Sequence, residues 1–227
     1  MSEHNSHAAG RLAGAWDASL QQHVAELNGR FLEWLSQLAA GTGADPHSPI
    51  VVRLAPEWRR LSHPGLQRLA GCPYLLLDAA FATPAHWRDV LAGAVQDAGP
   101  EAAGRGNAVS TDLVRRTLVL AWHLARSNPL AARIALGMSA ECTELIAARS
   151  IHELEAVAEM RPAWVRPRWE QRVEIWRQLL QAAAAEPPLR LRQLQLRGLQ
   201  LMAGSLLAES AVQRAGAAQP VQTGRHA

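Results

Sequence analysis

The chain has 227 residues, of which 48% are hydrophobic, so it can bury a core of one large or two small domains and is not a disordered protein. Its net charge of +3 arises from 23 basic and 20 acidic side chains, and every basic one is arginine. The two cysteines exclude a disulfide framework and a four-cysteine zinc site, and no run of about 18 apolar residues predicts a membrane span.

The amino-terminal residues lack the basic segment and apolar run that are typical of a secretion signal. Two cysteines without a disulfide pattern fit a reducing compartment. We therefore expect a cytoplasmic protein with no membrane association.

The charge is distributed unevenly along the chain. Residues 1–109 hold 8 arginines and 10 acidic residues, whereas residues 110–227 hold 15 arginines and 10 acidic residues. A basic half is a mild indication of nucleic acid or of an acidic partner, and arginine is the cation that pairs bidentately with phosphates.

The first part of the chain predicts a disordered tail over residues 1–10 and a helical domain of unknown role over residues 11–98. Apolar residues recur every three or four positions between Trp16 and Ala40, which predicts an amphipathic helix. The segment IVVRL (50–54) fits a short strand or an extended connector. The segment CPYLLLDAAF (72–81) is apolar nearly all round, which favours a buried helix over a lone strand.

Prolines mark the other helix boundaries in this domain. Pro56 suits a first helical position and opens a helix that Pro64 kinks or splits. Thr83 and Pro84 form a pair typical of an N-cap and a first helical position, so they predict the start of another helix.

A segment rich in glycine and alanine over residues 99–109 predicts a linker. A second helical domain follows over residues 110–212, and residues 213–227 predict a disordered tail. Ser110 is expected to cap a long helix that ends before Pro129.

A run of short helices with their own start and stop signals follows that long helix. Gly137 is expected to end the first, and Ser139 to cap the second. Ser150 and Glu153 form the S-x-x-E capping box of the third helix, which Pro162 ends.

The carboxy-terminal region predicts two more helices, the first from Trp169 to Ala185. In the second, residues 189–212, leucines alternate with arginine and glutamine, as in a strand. However, the segment is too long for a strand and is built from strong helix formers. We therefore predict a helix with a broad apolar face that binds a partner or a second copy. The chain as a whole is expected to be all-α, a helical bundle with short helix-turn-helix-like segments and room for two helical subdomains.

A basic-aromatic arm connects the short helices to this region. Trp164 and Trp169 alternate there with arginines, namely Arg161, Arg166, Arg168 and Arg172. Such an arm can clamp phosphates while the rings stack or pack. Alternatively, the two tryptophans anchor a crossover and the arginines pair with nearby glutamates. The sequence leaves both interpretations open.

No pattern indicates catalysis or metal binding. The chain has no G-x-S-x-G, no GK[ST] phosphate loop and no H-x-x-x-H spacing among its nine histidines. Cys142 falls on an apolar helix face, where a cysteine usually packs as a small hydrophobic residue. We therefore expect no enzymatic activity, no metal and no cofactor.

Residues 113–208 resemble the D subunit of the bacterial flagellar master transcriptional regulator, the FlhD-like family. The resemblance begins in LVRRTLVLAWHLARSNPLAARIALGM, in the place of that family's long dimerisation helix. It continues through Leu136-Gly137, Leu145-Ile146, Ser150 and Ala158-Glu159, in the family's order. The segment WVRPRW (164–169) matches its basic-aromatic stretch, and a leucine-rich helix follows.

This resemblance implies a helical homodimer that acts with a second, DNA-contacting regulator subunit in transcription activation. On that hypothesis five arginines face DNA phosphates or an acidic partner: Arg149, Arg161, Arg166, Arg168 and Arg172. Four apolar residues are expected at the dimer or partner interface: Leu118, Trp122, Leu194 and Leu199. The alternative is a non-enzymatic adaptor or accessory protein of a flagellar or secretion machinery, acting only through protein contacts.

Overall fold

The structure is a computed structural model that describes residues 18–41, 48–93, 108–162 and 164–217. In this part of the chain eleven helices and one two-stranded ladder are present, so the predicted all-α fold is confirmed. The helices before residue 94 are α1 (Ala18–Ala39), α2 (Pro49–Arg53), α3 (Ala55–Arg60), α4 (His63–Ala70) and α5 (Pro84–Leu91).

The second half supplies the other six helices. They are α6 (Ala108–Ser127), α7 (Pro129–Leu136), α8 (Ala140–Ala147), α9 (Ile151–Met160), α10 (Val173–Ala184) and α11 (Leu189–Ala217). Strand β1 (Leu77–Asp78) pairs antiparallel with β2 (Arg166–Pro167), with Leu77 opposite Pro167 and Asp78 opposite Arg166.

The predicted capping signals of the short helices are confirmed. Gly137 ends α7 in the left-handed region at φ 69°, a conformation that glycine adopts without steric cost. The Ser139 hydroxyl accepts a hydrogen bond from the Cys142 N–H at 3.0 Å. Ser150 and Glu153 form the complete capping box of α9. These contacts lie within four residues of one another, which is why the local sequence predicts them.

The prolines divide the first half largely as predicted. The helix expected after Pro56 is split before Pro64, into α3 and α4, and the Ser62 hydroxyl caps α4 by accepting from Gly65 N–H. Segment 50–54, however, is neither strand nor extended connector, because Pro49 begins the short helix α2 there. The Trp58 indole N–H donates to the Ile50 carbonyl at 3.1 Å and fixes α2 against α3.

The prediction of a buried helix over residues 72–81 is wrong. The segment is buried, but it runs through turns and the short strand β1. Its backbone groups bond to distant parts of the chain: the Leu75 N–H donates to the Ala135 carbonyl at 2.9 Å, and the Arg168 N–H donates to the Leu76 carbonyl at 2.8 Å. Partners far away in sequence replace the hydrogen bonds of a helix, and no local pattern reports them.

Three predicted boundaries also shift. Helix α6 begins at Ala108, so Ser110 lies inside the helix and is not its cap. The arm continues to residue 172, and α10 begins only at Val173, not at Trp169. Residues 213–217, predicted as part of a disordered tail, extend helix α11. The predicted helical state of residues 189–212 is confirmed.

The two predicted domains share one hydrophobic core. Helix α1 packs against both α4 and α6, and α10 packs against α2, α3 and α4. Buried residues of both halves belong to one continuous cluster, which includes Phe31, Trp87, Leu118 and Trp176. Most of the predicted linker over residues 99–109, and the whole predicted tail over residues 1–10, lie outside the described residues. The packing therefore gives no boundary between two independent helical bodies.

A search of the described helices finds none that combines the length and the apolarity needed to cross a bilayer.

Candidate interaction surface

The basic-aromatic arm, residues 161–172, is built around a buried arginine. Arg168 is only 8% exposed, and its guanidinium donates to the carbonyls of Leu75 at 2.7 Å, Leu136 at 2.6 Å and Leu77 at 3.1 Å. The Asp78 carboxylate lies 3.8 Å from the same guanidinium. Burial lowers the pKa of Arg168, and the negative charge of Asp78 opposes that shift.

These hydrogen bonds give Arg168 a structural role. Three carbonyls that neither helix nor sheet satisfies receive a charge-assisted hydrogen bond, and one of them is at the carboxyl end of α7, where a cation is favourable. The prediction that Arg168 contacts DNA or an acidic partner is therefore wrong: its guanidinium is already bonded inside the protein.

Asn28 of α1 supports the same buried segment from the other side. Its amide nitrogen donates to the carbonyls of Tyr74 at 2.9 Å and Ala70 at 3.2 Å, and its oxygen accepts from the Leu76 N–H at 2.8 Å. Asn28 and Arg168 together form hydrogen bonds with most of the irregular backbone between α4 and β1. Both residues are polar and occupy buried positions, and the sequence alone does not show that these positions are buried.

The tryptophans of the arm also face inward. Trp164 packs against Trp87 with 4.6 Å between ring centroids, and Trp169 meets the edge of Tyr74 at 5.7 Å. The Arg168 carbonyl accepts from the indole N–H of Trp176 at 2.7 Å. These contacts match the alternative in which the tryptophans anchor a crossover.

The other four predicted arginines do not form one cluster. Arg166 and Arg172 are exposed on the arm, whereas Arg149 and Arg161 are half-buried at opposite ends of α9. A helix of ten residues separates those two positions by about 15 Å. Arg149 also lies 3.5 Å from the Glu153 carboxylate. Two of the five arginines, Arg166 and Arg172, are therefore exposed to solvent.

The four residues predicted at a dimer interface pack within the chain. Leu118 is 1% exposed, and Leu194 and Leu199 pack against the core from α11. The Trp122 indole N–H donates to the Arg149 carbonyl at 2.8 Å, and the Arg126 guanidinium lies over its ring. Leu118 is wrong as an interface residue, because it is buried inside one chain. The other three are half-buried within the chain and leave only part of each side chain for a partner.

The apolar residues that do face solvent lie on another side of α11. Leu189 is 62% and Leu196 60% exposed, while Leu191 and Met202 of the same helix are buried. Leu201, which is 46% exposed, lies about 120° around the helix from Leu189, on the side of Leu194. At 100° per residue, Leu189 and Leu196 lie on one line along the helix, directly opposite the buried face. The sequence predicts a broad apolar face on this helix and an interface at Leu194 and Leu199, which pack partly against the core. Alternation in sequence does not show which side of the helix packs on α10.

Arginines flank these leucines. Arg190, Arg192 and Arg197 are all exposed, and no acidic residue occurs between Leu189 and Ala208. A groove of about 420 Å³ lies beside the leucines, between α10 and α11. It is lined by Gln178, Leu189, Arg190, Gln193, Leu194 and Arg197. We call the face of α11 that carries Leu189 and Leu196, with the arginines that flank them and the groove, the α11 surface.

A second groove of about 570 Å³ separates α1 from α6. It is lined by His23, Glu26, Leu27, Asp112, Arg115, Arg116, Val119, Leu120 and His123. Its charged groups are engaged in ion pairs: Asp112 binds Arg116 at 2.8 Å and lies 3.9 Å from Arg30.

The two cysteines are buried and chemically protected. Burial raises the pKa of the Cys72 thiol from 9.0 to about 12, while the nearby Gln195 and Tyr74 act in the opposite direction. A thiol of that pKa is not a nucleophile near neutral pH. Among the described residues no group of three or more histidine, cysteine, aspartate or glutamate side chains is arranged to hold a metal ion.

Comparison with protein-family models, with characterised proteins and with solved structures finds no match for this chain.

Proposed function

We propose that the protein is a non-enzymatic adaptor that acts through protein contacts and uses the α11 surface to bind its partner. The observation that carries the proposal is the exposure of Leu189 and Leu196 on one face of a long helix, opposite the face that packs on the core. Exposed leucines on a helix whose opposite face is packed are typical of a protein interaction site. The flagellar or secretion machinery remains the expected setting of such an adaptor.

A comparison of two double variants tests this proposal. The first variant, Leu189→Glu with Leu196→Glu, alters the α11 surface. The second variant, Arg166→Glu with Arg172→Glu, is the matched control, because it also replaces two exposed residues but on the arm. The wild type and both variants are purified from the native host, and the co-purifying proteins are quantified by mass spectrometry. We expect a partner that is retained by the wild type and the arm variant and lost from the leucine variant. Equal recovery with all three proteins would refute the proposal.

The second candidate function is the DNA-associated regulator that the resemblance implies. It is favoured by one observation, the exposure of Arg166 and Arg172 in the basic half of the chain. If both side chains bind phosphates, their replacement by glutamate lowers the slope of log affinity against log salt by about 2. Fluorescence anisotropy with a generic duplex measures that slope. A slope that is unchanged by the double variant would exclude the arm as the DNA site.

A further inference from the structure

We infer that the partner of the α11 surface is an acidic amphipathic helix of another protein. This inference rests on the proposed function and adds the chemistry of the partner. It is carried by the combination of an apolar line with uncompensated positive charge on one face of one helix.

The apolar line has the spacing that a helix can match. Leu189, Leu196 and Ala203 are separated by seven residues each, and all three are exposed. Seven residues are close to two helical turns, so these side chains form a seam about 21 Å long at 1.5 Å per residue. A helix of about four turns, with apolar residues at spacings of three and four, covers such a seam.

The charges on both sides of the seam select an acidic partner. Arg192 lies on one side of it, and Arg190 and Arg197 lie on the other, at the helical angles that flank Leu189 and Leu196. Glu186, the acidic residue that precedes α11, is already bonded to Arg68 at 2.9 Å. Glutamates or aspartates beside the partner's apolar residues would therefore meet arginines that have no acidic neighbour between Leu189 and Ala208.

The same charges disfavour a second copy of this chain as the occupant. A symmetric contact between two α11 surfaces would bring Arg190, Arg192 and Arg197 of each copy together without an acidic residue between Leu189 and Ala208. Like charges across an interface cost several kcal/mol. An acidic helix avoids that cost.

The groove beside the seam adds a place for a partner side chain. Two of the three arginines, Arg190 and Arg197, line it together with Leu189 and Leu194. A carboxylate that enters the groove meets both guanidinium groups, and the methylene part of its side chain contacts the two leucines.

Site-specific photo-crosslinking of the full chain in its native host tests the inference. Leu196 is replaced by p-benzoylphenylalanine, and Val52, which is exposed to the same 60% on α2, is replaced in a matched control. The cross-linked products are digested and the attached segments are sequenced. We expect a segment of another protein with a net negative charge and helical apolar spacing, joined at position 196 and absent at position 52.

A charge variant sharpens the test. In the background of Arg190→Glu with Arg197→Glu we expect the yield of that product to fall about tenfold or more, because attraction becomes repulsion. A control variant at two exposed arginines of α2 and α3, Arg53→Glu with Arg60→Glu, is expected to leave the yield unchanged. Equal yields in the two backgrounds would contradict an electrostatic selection of the partner.

The outcomes separate the inference from the proposed function. A partner protein whose cross-linked segment is neutral or basic overturns the inference alone. Cross-links to α11 of a second copy, or to nucleic acid, overturn the inference and leave that species as the occupant. No product at position 196 above the level at position 52 overturns both the inference and the adaptor proposal.

Discussion

At the scale of single residues, Arg168 holds the arm against the core. Its guanidinium is surrounded by three carbonyls and one carboxylate, so it cross-links buried segments of the chain. The desolvation free energy of the buried charge is offset by those bonds. Surface arginines only a few residues away, Arg166 and Arg172, have no comparable structural role. Arginines of one short motif therefore divide between the core and the solvent.

The replacement Arg168→Met is expected to destabilise the protein by about 3–5 kcal/mol, because the carbonyls of Leu75, Leu77 and Leu136 and the carboxylate of Asp78 lose their partner. Urea unfolding measures the change. The matched control Arg172→Met removes an exposed arginine and is expected to change the stability by no more than about 0.5 kcal/mol. Similar effects of the two variants would contradict the role of Arg168.

Gly198 is needed where α11 crosses Tyr74. A Cβ atom at this position would collide with the Tyr74 ring and hydroxyl, and Tyr74 is fully buried. Gly198→Ala is therefore expected to lower the melting temperature, with a cost of about 1–3 kcal/mol from overpacking. Gly204→Ala, in the same helix with open space around it, is expected to stabilise by up to about 1 kcal/mol. Stabilisation by both changes would show that α11 does not approach Tyr74 closely.

Cys72 makes the stability sensitive to alkaline pH. Its folded pKa of about 12 exceeds the ordinary 9.0, so the native thiol keeps its proton while the unfolded thiol loses it. The contribution of the protonated Cys72 thiol to the free energy of unfolding is fully present below pH 9. It is lost as pH rises toward 12, by on the order of 4 kcal/mol. Burial also raises the pKa of Tyr74, in the same direction.

Thermal unfolding between pH 8 and pH 11 measures this loss of stability as a fall in melting temperature. Cys72→Ala is expected to make the fall with pH shallower. Native protein should also fail to react with a thiol reagent at pH 8 until denaturant is added, because Cys72 and Cys142 are both buried. Rapid labelling of the native protein would contradict this burial.

At the scale of elements, helix α11 has two faces with different roles. Leu191 is 2% exposed and packs in the core, whereas Leu196 is 60% exposed. Leu191→Ala is expected to cost about 2–5 kcal/mol, and Leu196→Ala is expected to leave the stability nearly unchanged. Urea unfolding of the two variants compares the faces directly. A large loss in Leu196→Ala would mean that this leucine is packed and is not a binding residue.

The sequence predicts elements well where their signals are local. The caps at Gly137, Ser139 and Ser150 involve neighbours within four residues, and the helical state of residues 189–212 follows from length and composition. The prediction from sequence fails over residues 72–81, because the side chains that bond to this backbone, Asn28 and Arg168, are more than forty positions away. For the candidate site, the sequence predicts an interface at Leu194 and Leu199 of this helix, whereas the leucines that the structure exposes most are Leu189 and Leu196.

At the scale of the whole molecule, both halves of the chain form one body. Helix α10 of the second half closes the core between α2, α3 and α4, and β2 pairs with β1. The arm that joins α9 to α10 therefore crosses through the packing of the first half. Separation of the chain near residue 100 would expose apolar surface on both pieces, and we expect neither piece to fold cooperatively.

Equilibrium urea unfolding tests this single-body account most directly. Tryptophan fluorescence reports on both halves, because four of the eight tryptophans lie in each, and far-UV circular dichroism reports on the helices. We expect both signals to change together in one transition with one midpoint, and Arg168→Met to move that midpoint as a whole. Two separate transitions, one of which is unaffected by Arg168→Met, would contradict the account and restore two independent helical domains.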